Sequence, residues 1–148
     1  MENMEVLDEE SLLRLTFAPE HFVDGEYQQS AISLEDLKIR GVSVDRTGLT
    51  KKEVVLERVA SQAARRPDER EMPVYSLLRC SAVRDATNPA GDPFFDVEPA
   101  RVRGNDGHAL IFSKDRTLGK GGMRKVRDEL LSQMTATLTT LELVYPDS

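Results

Sequence analysis

The sequence has few residues of distinctive chemistry: one cysteine, two histidines and no tryptophan. Because Cys80 has no partner in the chain, an internal disulfide is excluded, as is typical of proteins kept in a reducing compartment. Aromatic residues make up only 5% of the chain, so its core must be built mainly from leucine, valine, isoleucine and alanine. At 148 residues, one domain can bury such a core without a disulfide or a metal.

Excess positive charge and long apolar segments are also lacking. The net charge of −6 argues against a general nucleic-acid binder, whose surface must neutralise many phosphates, although a local basic patch is compatible with it. No run reaches the roughly 18 apolar residues of a membrane span. The first ten residues carry five acidic residues and no basic one, unlike a secretory signal. We therefore expect a cytoplasmic protein that does not associate with membranes.

The spacing of apolar residues predicts an α+β fold. Alternation predicts strands over residues 12–17, 42–46, 74–83, 94–102 and 108–113, and helical spacing predicts helices over 50–65 and 122–138 with a shorter one beginning at Ser33. Residues 139–145 fit either a helix or a strand. Residues 11–148 are predicted to form a single domain, and residues 1–10 an acidic, flexible arm.

The two long helices indicate how this domain is layered. Thr50 and Glu53 have the spacing of a capping box, and apolar residues that include Leu56 follow on one side of the first helix. The second helix carries Leu130 on its apolar side. Because each helix has only one apolar side to bury, we predict a mostly antiparallel or mixed sheet covered on one face by two or three helices.

Both histidines lie beside predicted strand ends, where loops commonly place functional groups. His108 begins a strand, His21 follows one, and Asp45 and Arg46 end a third. A histidine near a carboxylate can act as a general acid or base, which makes His108, His21, Asp45 and Arg46 catalytic candidates. The alternative is that His21 is a loop residue and His108 bonds a backbone carbonyl. Neither histidine has a metal-ligand spacing, so no metal and no cofactor are expected.

A second candidate site is the basic, glycine-rich loop 114–127. A glycine loop that begins a helix presents free backbone N–H groups, and neighbouring cations favour an anion such as phosphate. The spacing is not that of a P-loop, and the alternative is a solvated helix start. The predicted anion-binding residues are Lys120, Gly121, Gly122, Arg124, Lys125 and Arg127. Cys80, by contrast, lies on the apolar side of a predicted strand and is expected to be a buried structural thiol.

Short motifs spread over most of the chain resemble those of a family of small bacterial proteins of unknown function. The residues are Arg14 in the first strand, Ser30-Ala31, the Ser-Val-Asp-type strand Gly41 to Arg46, and the Asn-x-x-His-Ala strand start Asn105 to Ala109. This sequence has Asp106-Gly107 where the family pattern has Pro-Ala. The resemblance implies a bacterial protein in which Arg14, Ser43, Asp45, Arg46 and His108 share one surface.

These observations support three functional hypotheses. The first is a binding or accessory protein that acts with a protein partner or as a homo-oligomer, and the resemblance extends this to a defence or toxin–antitoxin locus. The second is a small enzyme that acts on a nucleotide or phosphorylated substrate, with His108 and His21 as acid and base. The third, less favoured, is a nucleic-acid binder that uses the loop 114–127. An enzyme requires His108, Asp45 and a basic group around a concave pocket, whereas a partner module requires an exposed apolar patch.

Overall fold

A six-stranded antiparallel sheet forms the centre of the protein, with its strands in the spatial order 95–99, 108–113, 42–46, 11–19, 70–79 and 138–139. The computed structural model describes residues 4–147. The sheet strands are β1 (Ser11–Pro19), β4 (Val42–Arg46), β5 (Arg70–Arg79), β6 (Phe95–Pro99), β7 (His108–Ser113) and β8 (Leu138–Thr139), and β2 (Phe22–Val23) pairs with β3 (Glu26–Tyr27) in a small hairpin. The predicted α+β class, the single domain and the antiparallel sheet are confirmed.

The helices are α1 (Lys52–Arg65), α2 (Cys80–Asp85), α3 (Lys120–Ala136) and α4 (Leu141–Val144), with single helical turns at Gln29–Ala31 and Asp36–Arg40. Ser33, where the short helix was predicted to begin, lies just before the second of these turns, and its hydroxyl accepts a hydrogen bond from the Asp36 N–H at 3.3 Å. Residues 139–145, whose sequence fits either a helix or a strand, take part in both. A two-residue strand pairs with Tyr75 and Ser76, and α4 then follows.

The two long helices pack on opposite faces of the sheet, so the prediction that they cover one face is wrong. Leu12 and Leu13 are adjacent in β1, and their side chains therefore point to opposite faces. Leu12 lies in the core cluster that contains Leu130 of α3, whereas Leu13 lies in the cluster that contains Val55 of α1. We call the two sides of the sheet the α3 face and the α1 face. A sheet buried on both faces explains why both leucines are at most 1% exposed.

The buried side of α1 is narrower than the predicted one. Val55 is fully buried and Val59 and Ala63 pack against its cluster, whereas Leu56 is 46% exposed and does not belong to the core. The predicted capping box is also absent. The helix is capped by Lys51 without a side-chain hydrogen bond, because the Thr50 hydroxyl donates instead to Asn105 Oδ1 at 2.8 Å.

The strand predicted over residues 74–83 ends at Arg79, and Cys80 begins α2. The direction of the chain changes here because the Cys80 and Ser81 N–H groups bond the carbonyls of Glu10 and Asp8 instead of continuing the sheet. The thiol is nevertheless buried, as predicted, at 0% exposure. Burial raises the pKa of Cys80, which keeps it in the protonated form.

A thiol reagent is expected to modify Cys80 slowly in the native protein and fast in urea, because only the exposed thiolate reacts. The measurement is a time course with Ellman's reagent with and without denaturant. Equal rates in both conditions would contradict the buried position.

The segment before β1 is held against the core from Met4 onward. Val6 is fully buried among residues of the α3 face. Arg46 donates hydrogen bonds to both carboxylate oxygens of Glu10 and to the carbonyls of Met4 and Glu5. The acidic arm predicted over residues 1–10 is thus anchored in its described part, while residues 1–3 lie outside the described residues. None of the described helices is long and apolar enough to cross a membrane.

Candidate functional site

The α1 face is covered unevenly, and this leaves an open cleft. Helix α1 packs over β1 and β5, whereas β4 and β7 beside them carry the exposed Ser43 and the partly exposed His108. The cleft encloses about 530 Å³ between α1 and the turn 102–105. Its lining includes Ser43, Glu57, Arg58, Ser61, Arg103 and His108. A concave surface with both polar and apolar groups is therefore formed around the histidine that begins β7.

Hydrogen bonds fix the orientation of the His108 ring. Its Nδ1 lies 2.8 Å from the carbonyl oxygen of Ala100, and because a carbonyl only accepts, Nδ1 carries the proton. In the neutral ring Nε2 then has a free lone pair. Nε2 lies 3.3 Å from Ser43 Oγ, so the serine hydroxyl donates to it. His108 therefore makes the predicted contact with a backbone carbonyl and also presents its Nε2 to the cleft.

Asp45 lies beneath the surface of the cleft and holds its walls in place. It pairs with His108 across β4 and β7, but its carboxylate is only 1% exposed. Arg58 of α1 donates two hydrogen bonds to it, one of them from Nη2 to Oδ1 at 2.9 Å, and Asn105 Nδ2 donates another at 2.9 Å. Asp45 therefore fixes α1 and the turn 102–105 to the sheet instead of orienting the His108 ring.

The segment before His108 is held by close packing at Gly107. Asn105 Oδ1 accepts hydrogen bonds from the Gly107 N–H at 3.0 Å and from the Thr50 hydroxyl. A Cβ atom at Gly107 would lie 2.1 Å from Thr50 Oγ1 and 2.9 Å from the Arg46 carbonyl oxygen. Only glycine fits here without a shift of the backbone, so the Asn-Asp-Gly segment is a structural device that sets the position of β7.

Arg46 does not belong to the cleft. It neighbours Asp45 in β4 and therefore points to the α3 face, where it is 4% exposed and paired with Glu10. Burial alone would raise the pKa of Glu10, but the hydrogen bonds and charge of Arg46 and the Leu7 N–H outweigh it, and the pKa lies below the usual value. Arg46 is accordingly an anchor for the N-terminal segment.

His21 is also distant from His108. His108 lies level with Leu13 in the sheet. Pro19 ends β1 six residues beyond Leu13 and His21 follows it, so the two histidines are separated by a distance on the order of 20 Å. Its Nδ1 accepts a hydrogen bond from the Phe17 N–H at 3.0 Å, and its Nε2 lies 3.2 Å from Glu20 Oε1. Both nitrogens are used within this turn, so the two predicted histidine candidates do not form one site.

The His21 turn predicts a loss of stability in weak acid. Burial lowers the pKa of His21 from its usual 6.5, and the charges of Arg14, Arg70 and Arg66 lower it further against the attraction of Glu20. The unfolded chain therefore binds the proton more readily, and the contribution to stability is lost as the pH falls below 6.5 through the lower folded value. The pKa of Glu20 is also lowered, because hydrogen bonds from Arg70 and Arg66 outweigh the opposing effect of burial, and its contribution is lost at still lower pH.

In urea titrations at pH 7 and pH 5.5, His21→Gln is expected to show a smaller pH-dependent loss of stability than the wild type. The comparison of each protein with itself at two pH values removes the overall cost of the substitution. An identical loss in both proteins would contradict the assignment to His21.

The predicted anion-binding residues surround the start of α3, away from the His108 cleft. Lys120, Arg124 and Lys125 are exposed, as expected, but Arg127 is only 8% exposed and bonds Asp128. Gly122 and Lys125 line a separate cleft of about 670 Å³ whose other walls are mainly apolar, with Pro93, Phe94, Leu118 and Val126 among them. Arg127 thus belongs to the buried side of the helix, and Lys125 borders an apolar surface.

Two cleft residues were missed as functional candidates by the sequence analysis. Arg58 lies within α1 and is joined to Asp45 only by tertiary packing, so no local pattern marks it. Ser43 was named only through the resemblance, and its partner His108 is 65 residues away. Among the described residues no three His, Cys, Asp or Glu side chains are grouped as metal ligands would be. No protein-family model, curated protein or solved structure matches the chain.

Proposed function

We propose that the protein is a small enzyme that acts on a nucleotide or phosphorylated substrate in the cleft, with His108 as its general acid or base. The observation that carries this proposal is the lone pair of His108 Nε2, which the bond between Nδ1 and Ala100 directs towards the Ser43 hydroxyl and the cleft. A histidine that is fixed in one tautomer at the floor of a cleft is positioned to take up a substrate proton.

The hydrogen-bond donors around the cleft support an anionic substrate. Arg58 and Arg103 line it together with one exposed carboxylate, that of Glu57. A guanidinium has five N–H donors, and Asp45 occupies two of those of Arg58. The side chain of Arg58 is 26% exposed, so its remaining donors can bond a phosphate from the wall of the cleft.

A second candidate is the binding or accessory function predicted from the sequence, with a protein partner encoded nearby. It is supported by apolar groups on the same open surface, since Val102 is 47% exposed at the rim of the cleft and Leu110 is partly exposed on β7. Because polar groups separate these apolar groups, the enzyme is our first proposal and the partner-binding function the second. Either function is proposed for a bacterial cytoplasm, which the free Cys80 supports.

The test is hydrolysis of a panel of phosphate esters and nucleotides by the wild type and by His108→Gln. The substitution removes the proton acceptor, so kcat is expected to fall about tenfold or more. Ser132→Ala, which changes an exposed serine of α3 on the other face of the sheet, is the control and should keep kcat within about twofold. Turnover that does not depend on His108 would refute the enzyme. Binding without turnover would favour the second candidate.

A further inference from the structure

We propose that the Ser43 hydroxyl is the nucleophile of this site and forms a covalent phosphoseryl intermediate, with His108 as the base that activates it. This inference rests on the proposed function and assigns the substrate class as a phosphate ester. It is carried by a serine that is exposed in the cleft and donates its hydroxyl proton towards a histidine whose other nitrogen is fixed.

The strand holds Ser43 in a rigid position. Its neighbours Val42 and Val44 are each 1% exposed on the α3 face, and Ser43 itself pairs with Leu110 of β7. Its carbonyl oxygen also accepts a hydrogen bond from Arg14 Nη1 at 3.0 Å. With the backbone fixed, Ser43 Oγ can occupy only the staggered positions about the Cα–Cβ bond, and in the observed one it faces His108 Nε2 at 3.3 Å.

The base is oriented as a nucleophilic serine requires. An activated serine needs a base within hydrogen-bonding reach and a third group that orients the base. The separation of 3.3 Å between Oγ and Nε2 is slightly longer than a strong hydrogen bond, as is common before substrate binds. The Ala100 carbonyl at 2.8 Å from Nδ1 acts as the orienting group and can stabilise the imidazolium when Nε2 takes the proton.

Arg14 adds positive charge beneath this position. Besides Ser43 it donates to the Ala31 carbonyl at 3.0 Å, while its buried Nε has no hydrogen-bond partner among the described residues. Both carbonyl partners of Arg14 are neutral, and the carboxylates of Asp36 and Asp45 interact with the guanidinium by charge alone, without a hydrogen bond. A cation held behind the strand favours negative charge on Ser43 Oγ and on a phosphoryl group bound to it.

Besides the phosphate ester, the reaction requires only water. Ser43 Oγ attacks phosphorus, the Oγ–P bond forms, and the bond from phosphorus to the leaving oxygen breaks. The hydroxyl proton passes to His108 Nε2 and then to the leaving alcohol. Water next attacks the phosphoseryl group, and its proton passes to His108 Nε2. As the Oγ–P bond breaks, His108 returns this proton to Ser43 Oγ and inorganic phosphate leaves. Arg58 and Arg103 are placed to bond the phosphoryl oxygens in both steps.

The chain offers a matched control for this proposal. Ser61 lies on α1 in the wall of the same cleft and is exposed, but it belongs to the helix instead of the strand that faces His108. Ser43 and Ser61 therefore share solvent access and differ in the base beside them. A reagent that modifies only activated serines distinguishes them without any knowledge of the natural substrate.

The experiment is reaction of the full chain with diisopropyl fluorophosphate, followed by mass spectrometry of its peptides. Here the Oγ–P bond forms, the P–F bond breaks, and the proton passes through His108 to solvent as fluoride leaves. We expect Ser43 to be labelled at least tenfold faster than Ser61, and His108→Gln to slow the labelling of Ser43 at least tenfold. Labelling of the two serines at equal rates, or labelling of Ser43 that is unaffected by His108→Gln, would overturn the proposal.

Phosphate-ester turnover is then measured for Ser43→Ala and for Ser132→Ala, which changes an exposed serine of α3 on the other face of the sheet. We expect Ser43→Ala to lose at least a hundredfold in kcat and Ser132→Ala to stay within twofold, with a phosphoseryl peptide trapped by acid in the wild type. If turnover depends on His108 but survives in Ser43→Ala, this inference fails while the proposed function stands. If Ser43 is labelled but no phosphate ester is turned over, the proposed substrate class fails while the activated serine stands.

Discussion

Replacing Arg58 by alanine is expected to lower the free energy of unfolding by about 3–5 kcal/mol. The substitution leaves the Asp45 carboxylate, which is 1% exposed, with Asn105 as its remaining side-chain donor in the described structure. Burying the Asp45 carboxylate costs free energy of desolvation, and the attraction of Arg58 offsets this cost. Without Arg58 the cost remains and the attraction is lost, so the loss of stability exceeds the net contribution of the pair. Urea unfolding of the wild type and Arg58→Ala measures the difference.

Two further variants make this test specific. Glu57→Ala changes an exposed residue of the same helix and should stay within about 0.5 kcal/mol of the wild type. Adding Asp45→Asn to Arg58→Ala removes the unpaired charge and should restore part of the lost stability, because Asn cannot be left ionised. A double variant no more stable than Arg58→Ala would show that the cost lies in packing and not in the buried charge.

The same ion pair shows where sequence reasoning reached its limit in the site. The strand that ends at Asp45 and the strand that begins at His108 both follow from alternation and turn residues, and the structure makes them neighbours. Because side chains alternate along a strand, the sequence alone also predicts that Arg46 points to the opposite face from Asp45. The contact of Asp45 with α1 could not be predicted, because the position of a helix on a sheet is decided by packing over many residues.

The histidines show a related limit. His21 and His108 both lie at strand ends, but a sheet has two ends, and β1 carries His21 to the end opposite His108. Sequence distance gives no information about which end a loop occupies. Ser43 could have been recognised as a polar residue between two buried valines, which marks an open position on a strand, yet its hydrogen bond with His108 required the pairing of β4 with β7.

The layering of the helices was mispredicted for a reason that is visible in β1. The alternating residues Leu13, Leu15 and Phe17 define one apolar face, and the prediction assigned both helices to a single face. Leu12, next to them, belongs to the opposite face and is fully buried. Two adjacent leucines at the start of a strand indicate burial on both sides, and two helices with separate apolar sides then have separate faces to cover.

Leu130→Ala is expected to lower the free energy of unfolding by about 2–5 kcal/mol, and Leu56→Ala by less than about 1 kcal/mol. Leu130 is fully buried in the core of the α3 face, where its removal leaves a cavity that the neighbours cannot fill. Leu56 is 46% exposed. The sequence placed Leu56 in the core because positions 55 and 56 both fit an apolar side of helical spacing. The structure buries the column of Val55, Val59 and Ala63 and leaves the adjacent column towards solvent.

The two substitutions remove the same atoms from the same residue type within a helix, so each serves as the control for the other. Helix propensity changes equally in both, and only the packing around the side chain differs. Urea titrations analysed with a common slope give the two free energies directly. A loss for Leu56→Ala as large as that for Leu130→Ala would mean that a partner or a second copy covers the outer side of α1 in solution, since burial is the only source of so large a cost at an apolar side chain.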